Sequence, residues 1–163
     1  MILIRPAREG DGVAFHALLD AVARERRYLA AMDAPPLARM QEFVDNNAKK
    51  NLPQYFAFEA DQLVGWCDAL PGDANNGAPH VARMGMGVAK SHRNRGIGRQ
   101  LMEATIVRCR ELALEKIELG VYSSNEPAIV LYRKLGFVEE GRKVRSRLVD
   151  GIYDDVILMG LFL

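Results

Sequence analysis

Apolar positions along this chain fall into two rhythms, and each rhythm predicts its elements. Val13, Ala14, Ala17, Leu18, Ala21 and Val22 follow the i, i+3, i+4 spacing of a helix over about 12–27, with Asp11 as its N-cap. Pro35-Pro36 breaks the chain, and a second helix is expected over 37–49. Leu101, Met102, Thr105, Ile106, Cys109, Leu112 and Ala113 predict a third over about 98–115. A fourth spans about 126–135, capped by Ser123-Ser124-Asn125 and stopped by Gly136.

The shorter runs read as strands. They cover 2–5, ended by Pro6, then 54–59 and 63–70, joined at a turn at Asp61-Gln62. Three more follow over 80–88, 116–122 and 142–149, and a last over 153–161. Asp150-Gly151 joins the final two as a hairpin. Residues 71–79 form a loop. Gly85 and Gly87 inside a strand predict a bulge, or a ligand close to the backbone. The apolar run 156–162 reads equally as a homodimer contact or a buried central strand. Trp66 reads as core or interface. The order predicts a single α/β domain over 1–163, with a mixed, largely antiparallel sheet of about seven strands and about four helices.

Composition changes this picture little. The chain has 163 residues, 49% hydrophobic and 26% charged, which is ordinary for one globular domain. A net charge of +1 argues against a nucleic-acid partner. Cys67 and Cys109 are too few for a disulfide framework or a metal ligand set, so no metal is expected. The first residues lack a signal-peptide layout, and no apolar run reaches the roughly 20 residues of a membrane span. The expectation is a cytoplasmic protein with no membrane partner.

The informative chemistry lies at Arg93-Asn94-Arg95-Gly96-Ile97-Gly98. A strand leads into this glycine-bearing loop, and a helix leaves it. Helix N-termini present N–H groups without intrahelical acceptors, and the dipole there favours negative charge. Arg93, Arg95 and Arg99 add cations suited to phosphate. The segment reads as a pyrophosphate site. It lacks the Gly-Lys-Ser/Thr ending of a P-loop.

Arg93-x-x-Gly96-x-Gly98, together with Asn125-x-x-Ala128-x-x-x-Tyr132-x-x-x-Gly136-Phe137, resembles the GNAT acetyltransferase superfamily, especially its amino-acid and ribosomal-protein branches. The resemblance is sharpest over 88–137. It implies a GNAT-like fold splayed between the strands ending near Val88 and Tyr122. It implies acetyl-CoA as donor and an amine as acceptor. The main chain of 95–99, with Arg93 and Asn94, would wrap the pyrophosphate. The Met86, Gly87 and Val88 backbone would pair with the pantetheine amides. Gly85 and Gly87 would form the bulge that starts the splay, and an N–H near Met86 would polarise the thioester carbonyl.

Within the motif, Tyr132 is the expected acid for the departing thiolate, since a phenol (pKa about 10) and a thiol (about 8.5) are near balance. Ala128 lies one turn before it and leaves room for the cofactor arm. Asn125 reads equally as a cofactor partner or a cap. Attack needs a neutral amine, and Glu25, Glu59, Asp68 and His80 are candidates to take its proton. Glu25, Tyr28 and His80 are the candidate acceptor residues. The competing function is an acyl-CoA-binding sensor module without turnover.

Overall fold

The computed structural model describes residues 1–163. The strands are β1 (Ile2–Pro6), β2 (Gln54–Glu59), β3 (Gln62–Pro71), β4 (Val81–Val88), β5 (Lys116–Tyr122), β6 (Val138–Val149) and β7 (Ile152–Phe162). The helices are α1 (Gly12–Ala23), α2 (Leu37–Lys49), α3 (Ile97–Glu111) and α4 (Glu126–Lys134). The strands make one sheet in the order β1-β2-β3-β4-β5-β7-β6, antiparallel except for β4 and β5. No helix is long and apolar enough to cross a membrane.

Each face of the sheet carries its own core. Alternation along a strand sends neighbouring side chains to opposite faces. Phe56 and Phe58 of β2 join Phe15, Leu18 and Val22 of α1 and Met40 and Val44 of α2. Ala57 faces the other way, toward Leu101, Met102 and Ile106 of α3 and Ile129 and Tyr132 of α4. Ala57 pairs with Gly65 and Phe58 with Leu63, so Val64 is an extra residue that reverses the alternation of β3. Beyond it, Trp66 and Asp68 share the α1/α2 face, while Cys67 and Ala69 enter the α3/α4 core.

This bulge is in β3, and the one expected at Gly85 and Gly87 is absent from the β3–β4 ladder. The β3–β4 register runs unbroken through Asp68↔Gly85 and Trp66↔Gly87. Gly87 is small for another reason. A Cβ there would stand 2.2 Å from the Trp66 ring.

The helix ends explain two further differences. α3 stops at Glu111 rather than near 115. Ala113 takes φ 55°, and Leu114 N–H donates to the Cys109 carbonyl while Ala113 N–H donates to that of Arg110. This is the Schellman arrangement, with alanine where glycine usually signals the stop. At α4, Gly136 fills that position. α1 ends at Ala23, four residues before the expected end, and Arg26 turns left-handed at φ 56°. Asp11 precedes α1 but makes no side-chain cap. Its carboxylate takes the Arg5 guanidinium at 2.7 and 2.8 Å and the Arg8 N–H at 2.8 Å. β7 lies between β5 and β6, which accounts for its apolar run within the sheet.

Candidate active site

β4 and β5 pair only over Val81↔Lys116 to Arg83↔Glu118. Beyond Arg83 they separate, and β4 is left with one partner. Antiparallel pairing directs alternate residues' backbone groups to opposite sides. Gly72 N–H donates to the Val81 carbonyl and Ala89 N–H to that of Val64, so odd-numbered β4 residues bond to β3. The N–H and C=O groups of Met86 and Val88 consequently face the opening.

A cleft of about 410 Å³ occupies this opening. Met86, Gly87 and Val88 line one wall, and Asn125, Ala128 and Tyr132 line the other. Arg93, Asn94, Gly96, Ile97, Gly98 and Arg99 close one end, and Tyr28 also contributes. Val22, His92, Pro127 and Leu131 complete it and were not singled out by the sequence. Their placement depends on packing between distant elements.

The loop before α3 is built to offer N–H groups. Asn94 and Gly96 take positive φ, 61° and 75°. The N–H groups of Asn94, Arg95 and Gly96 find no backbone acceptor, and those of the first turn of α3 have none within the helix. A Cβ on Gly98 would lie 2.9 Å from Met86 Cε, the mobile end of a side chain that borders the cleft.

The arginine side chains each have a carboxylate partner within the chain. Arg93 pairs with both carboxylate oxygens of Glu25, at 2.9 and 2.5 Å, and donates from Nε to the Val88 carbonyl at 3.0 Å. It also stacks 4.6 Å from the Tyr28 ring centroid. Arg95 turns to Glu59, at 3.2 and 2.5 Å, and its side chain does not line the cleft. His92 Nε2 meets the same Glu59 carboxylate at 2.9 Å, and Ser91 Oγ sits 2.8 Å from His92 Nδ1. Arg95 and His92 hold the Glu59 carboxyl down at about 2. Arg99 pairs with Glu103 at 2.7 Å. The loop thus presents main-chain donors, while its side chains brace it against β2 and the segment after α1.

Tyr132 is almost wholly buried, with its ring 5.8 Å from Phe137. Burial pushes its phenol well above the usual value, so the group stays protonated at neutral pH. Tyr132 borders the cleft. Asn125 lines the cleft and caps α4 as well, accepting from Ala128 N–H at 3.4 Å.

The base candidates separate. Glu25 is occupied by Arg93 and Glu59 by Arg95 and His92. His80 is a correction: it is exposed at the start of β4, where its carbonyl binds the Glu115 and Lys116 N–H groups. Six residues of strand, roughly 20 Å, separate it from Met86. Asp68 lies instead on the α1/α2 face, opposite Gly85. Cys67 and Cys109 are buried and free, and burial raises both thiols, Cys109 to about 12. No group of three His, Cys, Asp or Glu residues forms a metal-binding cluster.

Known proteins share this architecture. The Acetyltransferase (GNAT) family matches residues 15–137. The SPbeta prophage-derived uncharacterized N-acetyltransferase YokL of Bacillus subtilis is 29% identical over 98% of this chain and 89% of its own length. The ribosomal-protein-alanine N-acetyltransferase of Brucella melitensis superposes with a TM-score of 0.89 at 26% identity, covering 99% of both chains. The yncA protein of Salmonella typhimurium, solved with its cofactor acetyl-CoA, shares the fold at a TM-score of 0.91 and 18% identity, over 100% of this chain and 94% of its own. The chain belongs to the GNAT family and is an N-acetyltransferase.

Proposed function

We propose that residues 1–163 act as one domain that moves an acetyl group from acetyl-CoA to a primary amine, by direct attack with both substrates bound. The acceptor classes are an amino acid, a small amine or a protein N-terminus. Acetyl-CoA brings an acetyl group already activated as a thioester. One observation carries the reading. The Met86 backbone groups, the Val88 N–H, the donor loop around Asn94 and Gly96 to Arg99, and Tyr132 all border a single cleft.

In this reading the donors of 94–99 hold the pyrophosphate, where the α3 dipole adds to them. The Met86 carbonyl and the Val88 N–H take the pantetheine amides as a neighbouring strand would. Ala128 keeps the wall beside that arm low, and Asn125 orients α4 while bordering it. The Met86 N–H polarises the thioester carbonyl, which makes the carbon a better electrophile. The amine nitrogen attacks that carbon, a C–N bond forms and the C–S bond breaks. Tyr132 gives its phenol proton to the departing sulfur, and the proton that the nitrogen loses returns through solvent to the phenolate. Neither thiol is poised to carry the acetyl group, since burial keeps Cys67 and Cys109 protonated. Two free, buried thiols also support a cytoplasmic location.

The test is thiol release from acetyl-CoA over amino acids, polyamines, aminoglycosides and N-terminal peptides, with Tyr132→Phe alongside. Acceptor-dependent release is expected, with kcat in the variant lowered roughly 10²-fold or more and KM for acetyl-CoA little changed. An unaltered kcat would remove Tyr132 from the chemistry. Absence of acetyl-CoA binding by calorimetry would overturn the donor assignment.

A further inference from the structure

A second cavity, of about 300 Å³, opens on the α1/α2 face of the sheet. Its walls are apolar, with Leu19 from α1, Leu29 from the following segment, Met40 and Phe43 from α2, and Trp66 from β3. Gly85 leaves the β4 backbone open to this cavity, whereas the Trp66 ring covers Gly87. Met86 borders both this cavity and the cleft described above, so the two meet where the thioester would lie.

The charge in this cavity has one sign. Asp68 lies in its wall, Asp33 at its exposed rim, and no Lys, Arg or His lines it. Arg24, whose charge reaches Asp33, is tied to Asp20 at 2.6 Å. The Asp68 carboxyl has no side-chain partner, only the backbone amide of Gly85. Partly shielded from bulk water by the apolar walls, it is pushed up to about 7. A carboxylate so placed gains most from a cation brought in with the ligand.

We propose that this cavity is the acceptor site and that it selects a primary amine on an apolar body, with no carboxylate beside the nitrogen, held by its ammonium against Asp68. The proposal rests on the transferase reading and names its substrate class. The apolar walls favour an alkyl or aryl body through the area they cover. A free amino acid would bring its own carboxylate close to Asp68 with no lining cation to receive it. That like-charge contact works against amino acids and for the simple amine.

The test compares phenethylamine and hexylamine with phenylalanine and norleucine, which carry matching side chains plus a carboxylate. Thiol release and calorimetric binding to the protein–CoA complex are both read, for the wild type and for Asp68→Asn. The amines are expected to exceed the amino acids at least tenfold in kcat/KM. Asp68→Asn is expected to raise the amine KM tenfold or more and leave the KM for acetyl-CoA unchanged. Equal or better use of the amino acids overturns the proposal in wild-type protein, even where the variant fails to fold. An unchanged amine KM in a folded variant also overturns it. Amine binding that depends on Asp68, without thiol release, would uphold the pocket and sink the transferase reading. No amine binding would overturn the pocket.

Discussion

Arg93 and Glu25 face each other as a two-bond pair across 68 residues of chain, joining the loop before α3 to the segment after α1. The same guanidinium holds the Val88 carbonyl. One side chain thus ties the donor loop, the end of β4 and an edge of the acceptor side. Both partners are about three-quarters buried, so losing one leaves a poorly solvated charge behind.

Glu25→Gln keeps the shape and removes the charge. It should cost about 1–2 kcal/mol of stability, a fall of roughly 3–6 °C in Tm for a chain of this size. KM for acetyl-CoA should rise severalfold, and the pH dependence of kcat should keep its form. A pH limb that vanishes in this variant would instead make Glu25 the base.

Glu59→Gln tests the brace under the loop. Glu59 holds His92 and Arg95 together, and neither has another carboxylate in place. Acetyl-CoA affinity should fall by severalfold in calorimetry while kcat at saturation changes little. A large loss of kcat at unchanged affinity would speak against a purely positional role.

Gly87→Ala should be strongly destabilising, because the added methyl would enter the Trp66 ring. Overpacking of this kind typically costs about 1–3 kcal/mol. Gly85→Ala is the control, since its Cβ would stand 3.5 Å from the Asp68 carboxylate, an ordinary contact. Denaturant midpoints of the two variants should separate clearly, and equal midpoints would argue against the Trp66 contact.

Asp68→Asn should show its effect on stability mainly at high pH. The folded carboxyl sits near 7 against an ordinary 3.8, so the fold holds this proton more tightly than the unfolded chain does. Its contribution is full below about pH 4 and is lost as pH rises toward 7. Asparagine carries no charge to lose. The Tm difference, variant minus wild type, should therefore grow more positive between pH 5 and 8. A difference that shrinks over that range would mean Asp68 is stabilised as the anion.

Much of this architecture is legible in the sequence, and the exceptions share a cause. Leu37–Lys49, Gln54–Glu59 and Lys116–Tyr122 agree end to end with the expected spans. α3 overran its true end because Ala113 adopts a left-handed turn without glycine to announce it. The glycine loop and the 125–137 motif point to the cleft because they act locally, through backbone and one helix face. The pairing of Arg93 with Glu25 and of Arg95 with Glu59 joins residues far apart in the chain, so the bracing contacts of these arginines are not visible in the local motif. The distance of His80 from the cleft, and the apolar cavity around Asp68, likewise depend on how β3, β4 and α2 meet.

The central claim is that acetyl-CoA lies along β4 with its pyrophosphate on the loop before α3. Amide hydrogen exchange, with and without acetyl-CoA, tests it without knowledge of the acceptor. The account predicts that added acetyl-CoA slows exchange at Met86, Val88 and residues 94–99, and leaves the distant β1 amides unchanged. Saturable binding with no protection at those positions would contradict it.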